Sequence, residues 1–244
     1  MTLLLIDGDI IAYKAATSAE TPINWGEGLW TLHAFEQDVE IRLADQIDKL
    51  VSEAPVQDCI VALSDKENYR KELAPYYKAN RSNTRKPMLL QWARDYIISK
   101  YNTIIYRRLE ADDVLGILGT SNPDTIIWSE DKDLLTIPAK HWLNGEVVTI
   151  TEEEAKYNFY YQTLVGDSTD NYRGCPSVGP ATANKLLSPD CSWSTVVAAF
   201  KSKGLSEEVA LENARLARIL HNGEYDTDTG EVKLWQPPKD TKPT

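Results

Sequence analysis

Four short apolar runs, each followed by acid, constrain this chain more than any other feature. Residues 3–6, 59–63, 103–106 and 125–128 are too short and too evenly apolar for amphipathic helices, and read as buried parallel strands. Helical patterns lie between and after them, at about 35–52, 86–100, 111–118 and 131–137. This alternation predicts an α/β domain with a mostly parallel sheet, a class that binds ligands beyond the carboxyl ends of its strands. Trp30, Trp142 and the stretch 146–150 are expected to add edge strands or a hairpin. From residue 152 the pattern is all-helical, at 152–165, 179–187, 193–203 and 207–221, behind a capping signal at Thr151 followed by three glutamates. The expected organisation is an α/β domain over 1–150, a helical region over 151–222 and a polar tail over 223–244. In that tail Val232-Lys233-Leu234-Trp235 is expected to pack back as a strand while the rest frays.

The acids fall where such a sheet has its crevice. Asp7 follows the first run and Asp65 the second. Glu110, Asp112 and Asp113 follow the third, and Glu130, Asp131 and Asp133 the fourth. Asp167 and Asp170 are three apart, share a helical face or turn, and can close over the same crevice. Converging like charges raise one another's pKa, and a divalent cation relieves them. Oxygen ligands select Mg²⁺ or Mn²⁺ over Zn²⁺, and two such ions about 3.5–4 Å apart clamp a scissile phosphate. One aspartate after a strand is usually only a helix cap; acids at four strand ends together ask for another explanation. Asp9 and Glu130 read as structural, the first as a cap for the helix beginning at Ile10, the second as solvent-facing.

Composition excludes several other chemistries. Three cysteines without C-x-x-C spacing argue against a disulfide framework and a zinc site, and Cys59 reads as core. Three scattered histidines give no histidine-based mechanism. No apolar run approaches a membrane span, and the start has no basic leader, so a monomer in a reducing cytoplasm is expected. The net charge of −11 runs against nucleic-acid binding. It has a location, however: with the nine nominated ligands set aside, the remaining 28 of 37 acids nearly balance 26 Lys and Arg.

Residues 66–86 carry the opposite bias. Lys66, Arg70, Lys71, Lys78, Arg81, Arg85 and Lys86 stand against Glu67 and Glu72, a local net charge of +5. The plain reading is a solvated face; the functional one is a phosphate clamp beside the metals. Lys78 and Arg81 share a face if helical, and Tyr76 and Tyr77 offer stacking surfaces for an unpaired base.

Taken together, Leu5-Ile6-Asp7-Gly8, Leu63-Ser64-Asp65-Lys66, Leu109-Glu110-Ala111-Asp112-Asp113-Val114, Ser129-Glu130-Asp131-Lys132-Asp133 and Gly166-Asp167-Ser168-Thr169-Asp170-Asn171 resemble the acidic motifs of the 5′-nuclease (flap endonuclease-like) superfamily, in its order. Tyr77-Lys78-Ala79-Asn80-Arg81 is similar to its tyrosine–lysine–arginine motif. The small size, Arg70-Lys71-Glu72-Leu73, Ala217-Arg218-Ile219-Leu220 and Leu234-Trp235 look most like short-tailed bacteriophage 5′–3′ exonucleases.

The resemblance implies a PIN-like sheet flanked by helices, an arch or gateway near 66–86, and a helix–three-turn–helix DNA-binding part. It implies Asp7, Asp65, Glu110 and Asp112 at a first Mg²⁺, Asp131, Asp133, Asp167 and Asp170 at or near a second, and Asp113 between them through water. Lys78 and Arg81 become catalytic. Tyr77, Lys78, Arg81, Gly174, Ser177, Gly179 and Lys185 become DNA contacts, with K⁺ at the hairpin. The family usually has Gly where Ser177 stands and Lys where Ala181 stands; Lys185 is the substitute charge. The implied substrate is DNA with a 5′ end or flap, and RNA–DNA hybrid at primers in phage replication, in the host cytoplasm. Alternatives are a HAD-like phosphatase using Asp7-Gly8-Asp9, a PIN-type ribonuclease, and a non-catalytic DNA-binding protein.

Overall fold

The computed structural model describes residues 2–238. In chain order it runs β1 (Leu3–Asp7), α1 (Gly8–Ser18), β2 (Thr21–Gly26), β3 (Leu29–His33), α2 (Glu36–Glu53), β4 (Asp58–Ala62), α3 (Arg70–Leu73), a 3₁₀ turn (Ala79–Asn83), α4 (Leu90–Lys100) and β5 (Thr103–Ile104). Then come α5 (Ala111–Ser121), β6 (Thr125–Trp128), a second 3₁₀ turn (Lys132–Thr136), β7 (Lys140–Leu143) and β8 (Glu146–Thr149). The last elements are α6 (Glu152–Val165), α7 (Pro180–Leu187), α8 (Trp193–Lys201), α9 (Glu207–Ala217), β9 (Tyr225–Asp226) and β10 (Glu231–Val232). The fold is the expected α/β class with helices on both sheet faces.

The sheet order is β5-β4-β1-β6-β7-β8, parallel except for β8 at the edge. From β1 the chain builds β4 and β5 on one side and then returns to place β6 on the other. The order therefore reverses beside β1, and the carboxyl end of β1 opens on the crevice where such sheets bind ligands. Central position explains the unbroken apolar run: Leu4, Leu5 and Ile6 are sealed on both faces. Leu4 and Ile6 face a core with α1, α2 and α4, while Leu5 faces α5 and the segment around Ile219 and Leu220. Two close approaches set this packing. A Cβ on Gly8 would lie 2.7 Å from the Ala62 carbonyl oxygen, and one on Gly116 would lie 2.4 Å from that of Leu220.

Helices α6–α9 surround a core of their own built on Phe159, Tyr160, Trp193 and Phe200. The capping box at Thr151 and Glu154 starts α6 where the sequence predicts. Several expectations change. Trp142 and residues 146–150 do form a hairpin, but Trp30 lies in a separate β2–β3 ribbon that does not join the main sheet. That ribbon leaves Trp25 and Trp30 exposed, with Phe35 just beyond it. Residues 131–137 form a 3₁₀ turn rather than an α-helix. Residues 66–86 form no long helix, only α3 and the first 3₁₀ turn. The tail packs back as expected, but pairing ends at Val232. The rest of the tail does not simply fray: β9 pairs with β10 and Tyr225 is buried, while the expectation for 239–244 lies outside the described residues.

Trp235 fixes the tail. Its ring lies 5.1 Å edge-on from both Phe159 and Trp193, and its carbonyl accepts from Arg215 Nε at 3.2 Å. Trp235→Ala empties this partly buried site. The expected loss is about 2–3 kcal/mol of stability in urea unfolding, with the far-ultraviolet spectrum retained.

Candidate active site

Strand ends bring the acids together as the topology requires. Asp7 is buried at the end of β1, where Oδ1 caps α1 through Ile10 N–H at 3.2 Å and Oδ2 accepts from the Ser129 hydroxyl at 2.8 Å. Burial, helped by Asp131, pushes the Asp7 carboxyl up to about 6. Asp112, in the first turn of α5, is also held well above the usual carboxylate range, by burial and then by Asp7, Glu110 and Asp131. A second group meets beyond β6: burial, then Asp131, Asp167 and Asp170, raises Asp133 to about 7. Asp167 and Asp170 lie in a turn rather than on a helix. It is closed by an Asp167–Tyr172 bridge, with Asp167 Oδ1 accepting from Thr169 N–H at 2.6 Å. Asp65 sits at its strand end, where Oδ2 accepts from Arg108 N–H at 2.7 Å.

The basic segment lies across this turn. Lys78 N–H donates to the Asp170 carbonyl at 2.9 Å, Asn80 Nδ2 to Ser168 O at 3.0 Å, and Asn171 Nδ2 to Tyr76 O at 2.7 Å. Lys78 adopts left-handed backbone, φ 55°, which aims its side chain into the acids. Its ammonium bonds Glu110 Oε1 and stands 3.3 Å from Asp170 Oδ2, while Arg81 pairs with Asp170 at 2.5 Å. Burial works to raise Glu110, but Lys78 and Arg70 hold it down to about 2. Burial likewise works to lower Lys78, yet Glu110, Asp170 and Asp112 keep it above the usual lysine range. Thus Lys78 and Arg81 reach one carboxylate together, though not from a helix face.

Five expected roles are corrected. Asp113 does not lie between metals: it is fully buried, and Arg70 takes both its oxygens at 2.7 Å. Arg70 is for the same reason lost from the phosphate clamp. Tyr77 is buried and cannot stack on a base; its hydroxyl donates to Asp170 at 2.7 Å and Glu110 at 3.0 Å. Gly174 is buried against the backbone of Leu164 and Gly166, where it leaves no room for a Cβ or a phosphate. Ser177, Gly179 and Lys185 remain exposed, with Ser177 in left-handed backbone, φ 62°. Asp9 does not cap α1; it accepts from Ser64 N–H at 3.0 Å and pairs with Arg94. Glu130 faces solvent and pairs with Lys14. Sequence reasoning missed Ser129, which orients Asp7, and gave no sign of Arg70 as an internal partner. A serine in a strand-end loop has no distinguishing pattern.

Asp133 supports a pH prediction. Its folded pKa lies above the ordinary 3.8, so the native state holds the extra proton between about pH 4 and 7. Stability from this group is therefore lost as pH rises through that window. Asp133→Asn should stabilise the metal-free chain more at pH 8 than at pH 5, by about 1–2 kcal/mol after discounting for its partial exposure. Chemical unfolding in EDTA at the two pH values measures it; equal gains at both would show that Asp133 is not repelled.

Comparisons with known proteins give the family and the fold. Residues 2–164 match the family model for the 5′–3′ exonuclease, N-terminal resolvase-like domain. The chain is 29% identical to the exonuclease of Escherichia phage T7, over 96% of this chain and 93% of that one. It is 27% identical to the flap endonuclease Xni of Shewanella sediminis, over 90% and 89%. Among solved structures, T5 5′-exonuclease with bound zinc superposes with a TM-score of 0.67 over 89% of each chain, at 17% identity. The chain belongs to the 5′–3′ exonuclease family and is a 5′–3′ nuclease.

Proposed function

We propose that this nuclease hydrolyses DNA phosphodiester bonds at a 5′ end or 5′ flap, as a monomer, using two Mg²⁺ ions for which Mn²⁺ substitutes. The observation that carries the reading is Lys78, whose ammonium is drawn between Glu110 and Asp170. Buried carboxylates that recruit a side-chain cation are a site for cations of higher charge. Among the described residues no three acid, His or Cys side chains already stand together as a metal cage. The donor set nonetheless fits: all-oxygen, partly desolvated, and short of positive charge at Asp7, Asp112 and Asp133. Asp7, Asp65, Glu110 and Asp112 would hold the first ion. Asp131, Asp133, Asp167 and Asp170 would hold or orient the second. Such ions polarise a phosphodiester and offset charge on its leaving oxygen. A solved relative, the phage T5 flap endonuclease in a product complex with DNA and metal ions, shares this fold at a TM-score of 0.65.

The chain's own residues supply the rest. Lys78 and Arg81 stabilise charge on phosphate oxygens as it grows. Ser177 and Gly179 at the start of α7, where main-chain amides suit phosphate, and Lys185 in its last turn would meet the duplex backbone. Main-chain oxygens of the same hairpin would hold K⁺. In this reading residues 1–150 form the nuclease domain, with 66–86 as its gateway, 151–222 the helical DNA-binding region and 223–244 the tail. RNA primers paired to DNA are a further substrate. The phosphatase alternative loses ground, because Asp9 is engaged by Arg94 and Ser64.

Three outcomes test the proposal. A 5′-labelled duplex with Mg²⁺ should yield short labelled products at once, while a 3′-labelled one shortens gradually; the reverse order would overturn the polarity. Asp131→Asn should abolish cleavage while gel-shift affinity in Ca²⁺ holds or rises. Lys78→Ala should lower the single-turnover rate at saturating enzyme by about 10²-fold, with a smaller loss of affinity. An unchanged saturating rate would remove Lys78 from the chemistry.

A further inference from the structure

Arg70 is the most heavily engaged side chain among the described residues. It lies at the start of α3, 2% exposed, and makes five hydrogen bonds to two distant parts of the chain. Nη1 and Nη2 take the two oxygens of Asp113, each at 2.7 Å. Nε donates to the Leu216 carbonyl at 3.1 Å and Nη2 to that of Arg218 at 2.5 Å, both at the end of α9. Nη1 also donates to Glu110 Oε2 at 3.1 Å. Asp113 in turn accepts from Leu220 N–H at 3.1 Å and from Glu110 N–H at 3.3 Å. One guanidinium thus joins the basic segment, the start of α5 and the carboxyl end of α9.

The consequence lies at Glu110. Its Oε2 is held from two sides, by Arg70 Nη1 and by the Tyr77 hydroxyl at 3.0 Å. Its Oε1 faces Lys78. Arg70 Nη1 gives this oxygen a hydrogen of its own, whereas the single Tyr77 hydroxyl proton is shared with Asp170; together they set the rotation of the carboxylate, and the other oxygen is the one presented to any cation in the site. The Arg70 guanidinium also lies 5.9 Å from the Tyr77 ring centre and 4.7 Å from that of Tyr69. A lysine cannot reproduce this: one ammonium does not span Asp113, two carbonyls and Glu110.

We infer that Arg70 is a positioning residue for the nuclease reaction: it orients Glu110 toward the cation site and makes that orientation depend on the docked carboxyl end of α9. The inference rests on the reading of Glu110 as a metal-holding carboxylate. It explains why an arginine in the basic segment is withheld from the substrate, and why Asp113 is sealed in the core next to Asp112. Oriented outer-shell groups tune first-contact ligands in this manner.

The test separates positioning from folding. Arg70→Lys keeps a cation beside Asp113. The double variant Arg70→Met, Asp113→Leu removes both charges and leaves no unpaired acid in the core. Each should melt within about 5 °C of the parent and bind a 5′-ended duplex in Ca²⁺ with unchanged affinity. Each should bind Mn²⁺ about 10-fold or more weakly by calorimetry without DNA, and should cleave about 10-fold or more slowly in single turnover at saturating enzyme. Arg70→Lys decides alone if the double variant does not fold. Parental Mn²⁺ affinity and rate in a folded variant would overturn the inference. Glu110→Gln distinguishes the two levels. A parental rate there overturns the metal-site reading itself; an inactive Glu110→Gln beside fully active Arg70 variants overturns only the positioning.

Discussion

Repulsion among carboxylates at one sheet edge governs the surrounding architecture. A parallel sheet whose order reverses beside β1 delivers Asp7 and the β6 acids to a single crevice, and α5 adds Glu110 and Asp112. Burial there has already raised Asp7 and Asp133 to about 6 and 7. Such a group persists only beside compensating charge. The chain supplies it from one segment in two ways. Arg70 goes inward and neutralises Asp113 completely; Lys78 and Arg81 stay at the rim and share Glu110 and Asp170. The inward pair is of the kind whose one-sided removal costs about 3–5 kcal/mol, because the surviving charge stays buried.

That division explains what could be read from the residues alone. Three of the four strand runs are legible because they are apolar on both faces, and the helices after residue 151 because capping and periodicity agree; the fourth run, 103–106, pairs only over Thr103–Ile104 at the sheet edge and leaves Ile105 exposed. Residue 152 begins α6, and Val165 ends it against Gly166, whose φ of 74° no β-carbon would favour. Convergence of the acids followed from topology. Depth did not. Glu110, Asp112 and Asp113 are consecutive in motif, yet the helical turn sends Asp113 into the core while its neighbours look out. Arg70 and Lys71 carry the same charge, and only the packing of Tyr69 and the end of α9 buries one of them. Tyr77 reads as a stacking ring because sequence cannot show that its hydroxyl is the useful atom. Gly174 reads as an open approach for phosphate, whereas its missing Cβ is already used by Gly166 and Leu164. In each case spacing indicates a neighbourhood, and a packing contact outside the motif decides the direction.

The site also depends on elements that carry no acid. Turn 167–172 hangs from α6, whose core is shared with α8, α9 and Trp235. The basic segment is fastened to that turn by Lys78, Asn80 and Arg81 at one end. At its other end Arg85 pairs with Glu20, below the β2–β3 ribbon. The tail reaches back to the sheet, where Tyr225 donates to the Arg107 carbonyl and Arg108 donates to that of Gly230 while pairing with Glu72. Loosening the helical part would therefore be felt at Asp170 and Glu110 before it was felt in the sheet.

This fastening bears on how an acidic protein engages phosphate. Lys78 and Arg81 are engaged by Glu110 and Asp170, so the segment's +5 is not presented to substrate in full. Arg70 is never presented, and Arg85 is paired. Lys66, Lys71 and Lys86 are exposed and stand in no ion pair among the described residues. Under the proposed reading, divalent ions that occupy the carboxylates return Lys78 and Arg81 to the phosphate. The charge that metals neutralise and the charge that DNA meets are then one account, held on a single loop. Net charge over the whole molecule is a poor guide to partners when opposite charges are partitioned this closely.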